Sequence, residues 1–192
     1  MVRVRGATGQ VERARGAAGG AGERPGDRYA GWVAYQLRFF GDPVLTQRAA
    51  EITDIDGSVA SLAAGMVETM HEAHGLGLAA PQVGVQKRLF VYQLPEQDPV
   101  TILNPRIAET RGEWEYDEGC LSIPGLYFPI VRPKEIHLVG FDLEGREISI
   151  EADEVEARCF QHELDHLDGV LLLERLDKDQ RKSAMRELRR RA

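Results

Sequence analysis

The stretch Gln161-His162-Glu163-Leu164-Asp165-His166-Leu167-Asp168-Gly169 constrains this chain more than any other. Two histidines stand four apart, with a glutamate directly after the first. On an α-helix, positions i and i+4 lie one turn apart on the same face, so both imidazoles can reach one metal ion. Glu163 falls about 100° round the helix from His162 and about 60° from His166. It flanks an ion held by the pair without needing to bind it, and can take a proton from a water beside that ion. This is the working arrangement of H-E-x-x-H. A surface helix with two solvated histidines would fit the same letters, but Val155, Cys159, Phe160, Leu164 and Leu167 mark a helix at least half buried. Buried histidines need partners. Asp153 with Glu156 three residues on reads as a capping box at the start of this helix, and Gly169 as the residue that ends it.

At 192 residues the chain is long enough for one domain with a sizeable core. The formal charge of −7 argues against a general nucleic-acid binder, and no specific DNA partner is expected. Two cysteines are too few for a disulfide framework, and no apolar run approaches a membrane span. A cytoplasmic setting is therefore expected. Residues 1–33 are Gly-, Ala- and Arg-rich with few large aliphatics, and are expected to form a disordered N-terminal extension.

The folded part is expected from about Tyr35. Val59, Leu62, Met66, Val67 and Met70 recur at helical spacing, and that helix is expected to stop near Gly75. His71 and His74 fall at its end and read as helix-end residues rather than ligands. Strand signals follow at Arg88–Tyr92 and Val100–Leu103, then a hairpin from Glu135 to Ile150 turning near Glu144-Gly145. A basic helix closes the chain over 177–192. The order lacks regular βαβ alternation, so the fold class is α+β: small antiparallel or mixed sheets around a central metal-binding helix, in a single domain.

A catalytic site usually needs a third protein ligand. The H-x-x-G-x-x-H continuation fails because Leu172 stands in the last place, and Glu187 sits among Arg186, Arg189 and Arg190, where it reads as a solvated partner of those arginines. Cys159 is about 10 Å of helical rise from His166, too far to share an ion with it. Cys120 remains, in Glu118-Gly119-Cys120-Leu121-Ser122. Taken alone, that pentapeptide fits a plain buried cysteine better than a ligand. Gly75-Leu76-Gly77-Leu78-Ala79-Ala80-Pro81-Gln82 is a weak signal by itself. It can be a turn, or a backbone that lies close to a peptide-like substrate, with Gln82 offering an amide donor to an oxyanion.

Together, and in this order, the three stretches resemble peptide deformylase, as does Gly41-Asp42-Pro43-Val44-Leu45 upstream. The resemblance spans roughly residues 35–180. It implies a metal-dependent hydrolase that removes the N-formyl group from the starting methionine of new polypeptides and releases formate. It implies Cys120, His162 and His166 as metal ligands and Glu163 as the proton carrier. Gln82 and the Leu121 N–H would stabilise the oxyanion, with Leu76 and Gly77 at the substrate. It favours Fe(II), although Cys-His-His also suits zinc. It is consistent with ribosome contact through the basic C-terminal helix. One departure is visible: many members carry an arginine soon after the cysteine motif, whereas this chain reads Gly125-Leu126-Tyr127-Phe128 and has its next arginine at Arg132. Two other readings stay open at this point, an H-E-x-x-H metallo-endopeptidase and a metal-stabilised binding module.

Overall fold

The computed structural model describes residues 34–191. The expected N-terminal extension, residues 1–33, lies outside the described residues.

The fold is α+β. Strands β1 (Gly77–Ala79), β2 (Leu89–Tyr92), β3 (Val100–Arg111), β6 (Glu135–Phe141) and β7 (Glu147–Asp153) form one antiparallel sheet in the order β1-β2-β3-β6-β7. Strands β4 (Trp114–Cys120) and β5 (Ile123–Arg132) form a separate antiparallel hairpin. Helices α1 (Gly57–Glu72) and α2 (Glu154–Leu167) pack on the sheet, and α3 (Lys178–Arg191) ends the described chain.

β2 explains the layering. Its four residues are all buried because both faces of the sheet are covered there. Side chains alternate along a strand: Phe90 and Tyr92 join the core beneath α2, while Leu89 and Val91 join the core beneath α1. Phe160 of α2 meets Tyr92 edge-on with ring centroids 4.6 Å apart, and Phe90 at 5.7 Å. Leu164 and Leu167 extend that contact along the helix. A third core joins the β4–β5 hairpin to the C-terminal segment through Cys120, Ile123, Ile130, Leu172, Leu173 and Ala184.

Helix α2 is thus enclosed, with every residue from Ala157 to Leu167 buried. Asp153 takes the N-cap place but makes no side-chain cap bond, so the expected capping box is not formed. The C-terminus behaves as the sequence suggests. Gly169 adopts φ 74°, its N–H donates to the His166 carbonyl, and the Val170 N–H donates to the Asp165 carbonyl. That is a Schellman end. A Cβ on Gly169 would also lie 2.9 Å from backbone carbons of Thr46 and Gln47. α1 closes the same way, but with His74 at φ 54° in the left-handed place and Gly75 one residue later.

Candidate metal centre

Helical spacing does what it promised on α2. His162 and His166 stack edge to face with centroids 4.9 Å apart. β4 ends opposite them and delivers Cys120, whose Sγ lies 3.2 Å from His166 Nε2. One donor atom from each of Cys120, His162 and His166 falls within 4.8 Å of the others, and all three residues are buried. Two donors on one tetrahedral ion stand roughly 3.5 Å apart, so the arrangement fits an ion with little adjustment. Among the described residues this is the sole such group; Cys159, His71, His74 and Glu187 are not in it. Cys159 instead lines the small hollow beside the histidines, and burial pushes its thiol well up. Glu187 pairs with Arg190 and Arg191.

The protonation pattern also fits a cation. Burial alone would raise the Cys120 thiol, but the charges of His166 and His162 hold it well below its ordinary value. Burial disfavours a charge on His162, yet Cys120 and Glu118 push it up to about 10. A thiolate facing an imidazolium is a site that an ion can enter by displacing a proton.

Behind His162 lies a charged network that was not recognised in the sequence. Glu118 is fully buried and accepts from His162 Nδ1 at 2.6 Å, which leaves Nε2 for the metal side. Arg132 donates twice to Glu118, at 2.8 and 2.7 Å, and Arg158 donates once, at 2.8 Å. Burial works against the Glu118 charge, but Arg132 and His162 hold its carboxyl well below the carboxylate range. Arg158 lies over the Trp114 ring at 5.1 Å and donates to the Trp114 carbonyl. Arg132 also reaches Asp165 at 2.9 Å. It is 5 % exposed, so the first arginine after the cysteine motif braces the site from behind. The one available signal is the charge of Arg158 directly before Cys159 and Phe160, which mark the buried side of the helix. Glu118→Gln is expected to cost about 3–5 kcal/mol by stranding buried cations and to weaken metal binding about 10–100-fold. Urea unfolding with and without metal checks this; an unchanged midpoint and unchanged metal affinity would contradict it.

Glu163 sits between the pair and strand β1. Its Oε2 is buried without a hydrogen-bond partner, and burial pushes its carboxyl up from the ordinary value. A Cβ on Gly77 would lie 2.5 Å from Glu163 Oε1 and 2.8 Å from Cys159 Sγ, so only glycine lets β1 come this close. No local pattern in Gly75–Gln82 marks a strand there. β1 is the sheet edge. The Gln93 N–H donates to the Leu76 carbonyl, so by antiparallel alternation the next residue, Gly77, turns its own N–H and C=O to the open side. Gln82 Oε1 accepts from the Ala79 N–H at 2.9 Å, which fixes the amide and leaves its NH2 toward Ser122 Oγ at 3.2 Å and Cys120 Sγ at 3.9 Å. Leu76, Gly77, Gln82, Leu121, His162 and Glu163 thus surround one hollow of about 20 Å³, room for a water-sized group.

Comparison with known proteins places this geometry. The polypeptide deformylase family model matches residues 34–182. A peptide deformylase of Acidothermus cellulolyticus is 46% identical over 80% of this chain and 84% of its own length. The crystal structure of peptide deformylase from Thermus thermophilus matches with TM-score 0.77 and 43% identity, over 81% of this chain and 93% of that one. The Ehrlichia chaffeensis peptide deformylase in complex with actinonin matches with TM-score 0.79 and 38% identity, over 83% and 98%. With the family match covering the sheet, the hairpin and the whole Cys-His-His group, the chain belongs to the peptide deformylase family.

Proposed function

We propose that this chain hydrolyses the N-formyl group from the N-terminal methionine of newly made polypeptides, with Cys120, His162 and His166 holding the metal and Glu163 moving the proton. The observation that carries this reading is the buried Cys-His-His donor group with the partnerless Glu163 carboxylate oxygen beside it. When bound, the ion supplies Lewis acidity that polarises the formyl oxygen and lowers the pKa of water.

The remaining work belongs to the chain. The outward N–H and C=O of Gly77 align the substrate backbone at the β1 edge, and Leu76 offers apolar contact to the methionine side chain. Glu163 Oε2 accepts a proton as water adds to the formyl carbon. The Gln82 NH2 and the Leu121 N–H donate to the oxygen as its charge grows. The C–N bond then breaks, Glu163 gives the proton to the departing amine nitrogen, and formate leaves. The raised Glu163 carboxyl suits both halves of this transfer. The experiment is formate release from a formyl-methionyl peptide. The endopeptidase and binding-module readings are not favoured, given the family.

The ion is proposed to be Fe(II), with zinc an alternative the donor set also accepts. Metal content and activity after anaerobic purification separate them; full activity with zinc alone, unchanged on loading iron, would refute iron. We assign catalysis to residues 35–180, treat 1–33 as an extension outside the catalytic unit, and place the enzyme in the cytoplasm. No helix among the described residues is long and apolar enough to cross a membrane.

The basic helix α3 (Lys178–Arg191), expected over 177–192, is proposed to hold the enzyme near the ribosome. Lys178, Arg181, Lys182, Arg186, Arg189, Arg190 and Arg191 are exposed, in a chain that is acidic as a whole. An RNA-rich particle would attract such a helix in a salt-dependent way. Truncation near Lys178 and added salt are both expected to weaken co-sedimentation with ribosomes while deformylation in solution survives. Unchanged co-sedimentation after truncation would leave the helix a structural role only.

A further inference from the structure

We propose that a cleft on the side of α2 away from the metal binds a small organic dianion, a phosphate monoester with an apolar body. Gln161, Leu164, Asp165 and Asp168 line this cleft from α2. Their stripe lies about 160° round the helix from the one that carries Cys159, His162, Glu163 and His166. The cleft, about 450 Å³, is therefore a different space from the hollow at the metal, and it has room for a small-molecule ligand. Strand β3 supplies Arg106 and Ile107 to its wall, and β5 supplies Val131 and Arg132.

Charge names the ligand. Four arginines meet in the cleft, Arg88, Arg106, Arg132 and Arg175, against two aspartates, in a chain that is acidic as a whole. Both aspartates are already engaged. Asp165 accepts from Arg132 at 2.9 Å and from Arg175 at 3.0 Å. Asp168 accepts from Arg88 at 2.7 Å and has Arg48 Nε 3.7 Å away. Arg106 is exposed, and among the described residues its guanidinium has no ion pair or hydrogen bond. Arg132 is committed to Glu118 and Asp165, whereas Arg175 bonds Asp165 through Nε and Nη2 and keeps Nη1 for a ligand beside Arg106. An excess of positive charge in a concave, low-dielectric wall concentrates its field on an anion. A guanidinium fork bonds two oxygens of a phosphate at once. The rest of the wall is apolar. Leu164 and Ile107 line it, and Val131, at 56 %, is the most exposed of the large apolar side chains among the described residues. Apolar surface beside convergent donors suits an organic phosphate better than the bare inorganic ion.

The test is calorimetric titration of the metal-loaded protein, at low salt, with phenyl phosphate, inorganic phosphate and benzoate. Phenyl phosphate is expected to bind with a Kd below about 1 mM. It should bind roughly tenfold tighter than either other probe, since inorganic phosphate lacks the apolar body and benzoate the second charge. Arg106→Gln is expected to weaken phenyl phosphate about 10–100-fold, the worth of one charged hydrogen-bonding partner. Val131→Glu sets a like charge at the mouth of the cleft and is expected to weaken it as well. Both positions are exposed and neither touches the metal donors, so both variants are expected to fold and hold metal as the wild type does, which melting and metal analysis check. Arg111→Gln, on the same strand but outside the cleft, should leave the Kd unchanged. Absence of saturable binding would overturn the proposal. So would a Kd that Arg106→Gln leaves unchanged, since the phosphate would then sit elsewhere, on the metal for instance. Equal weakening by Arg111→Gln would reduce the effect to general charge attraction and overturn the site. Inorganic phosphate or benzoate binding as tightly as phenyl phosphate would overturn the assigned ligand class.

Discussion

Glu163→Ala is expected to lower kcat about 10²–10⁴-fold, the usual worth of a positioned proton carrier, while metal content and fold stay intact. Glu163 is not among the donors that cluster with Cys120, so its loss leaves the Cys-His-His set untouched. Its buried carboxylate oxygen has no hydrogen-bond partner, so removing it breaks no structural bond at that atom. Stability is expected to hold or rise, because a carboxyl that burial pushes up is a cost to the folded state when charged. The check is single-turnover formate release beside metal analysis and melting. A variant that keeps wild-type kcat would remove Glu163 from the mechanism, and one that loses its metal would make it a ligand.

The second large effect separates the two cysteines. Cys120→Ser is expected to lose metal or hold it far more weakly, and to melt at a lower temperature than the metal-loaded wild type. An ion that binds only the folded chain stabilises it by mass action, about 4 kcal/mol at a thousandfold excess over Kd. Cys159→Ala removes one buried sulfur from the core under α2, at roughly 1–2 kcal/mol, and is expected to keep its metal. Melting with and without chelator reads both. Equal metal loss in the two variants would contradict the assignment, and so would a wild-type melting temperature insensitive to chelator.

The helix carrying the two histidines was legible because its chemistry repeats with the helical period and its end is marked by Gly169. The α+β class and the Glu135–Ile150 hairpin were legible because their residues alternate or follow clear turn signals. The β4–β5 hairpin was not. Its strands carry Gly119, Pro124, Gly125 and Pro129, which read locally as a tight turn. Pairing across the hairpin, with Gly119 opposite Tyr127, makes it extended. β1 is only three residues long and owes its form to β2 alongside it, which no local preference encodes. The expected box at Asp153 went unmade. Glu154 takes φ 43° at the first turn, with its N–H donated to the Lys134 carbonyl. The Glu118–Arg132–Arg158 network escaped notice for another reason. Its members lie 14 and 40 residues apart, and a buried charge looks the same as a solvated one until its partner is seen. Leu76, Gly77, Gln82 and Leu121 could be named from the resemblance, but their meeting around one hollow depends on the sheet edge facing the hairpin.

The most direct test of the account is to measure formate from a formyl-methionyl peptide with the enzyme as purified, after chelation, and after metal is restored. The account predicts one formate per peptide consumed, loss of activity on chelation, recovery on reloading, and no cutting of internal peptide bonds. Cleavage within the peptide without formate, or formate release that survives complete removal of metal, would contradict it.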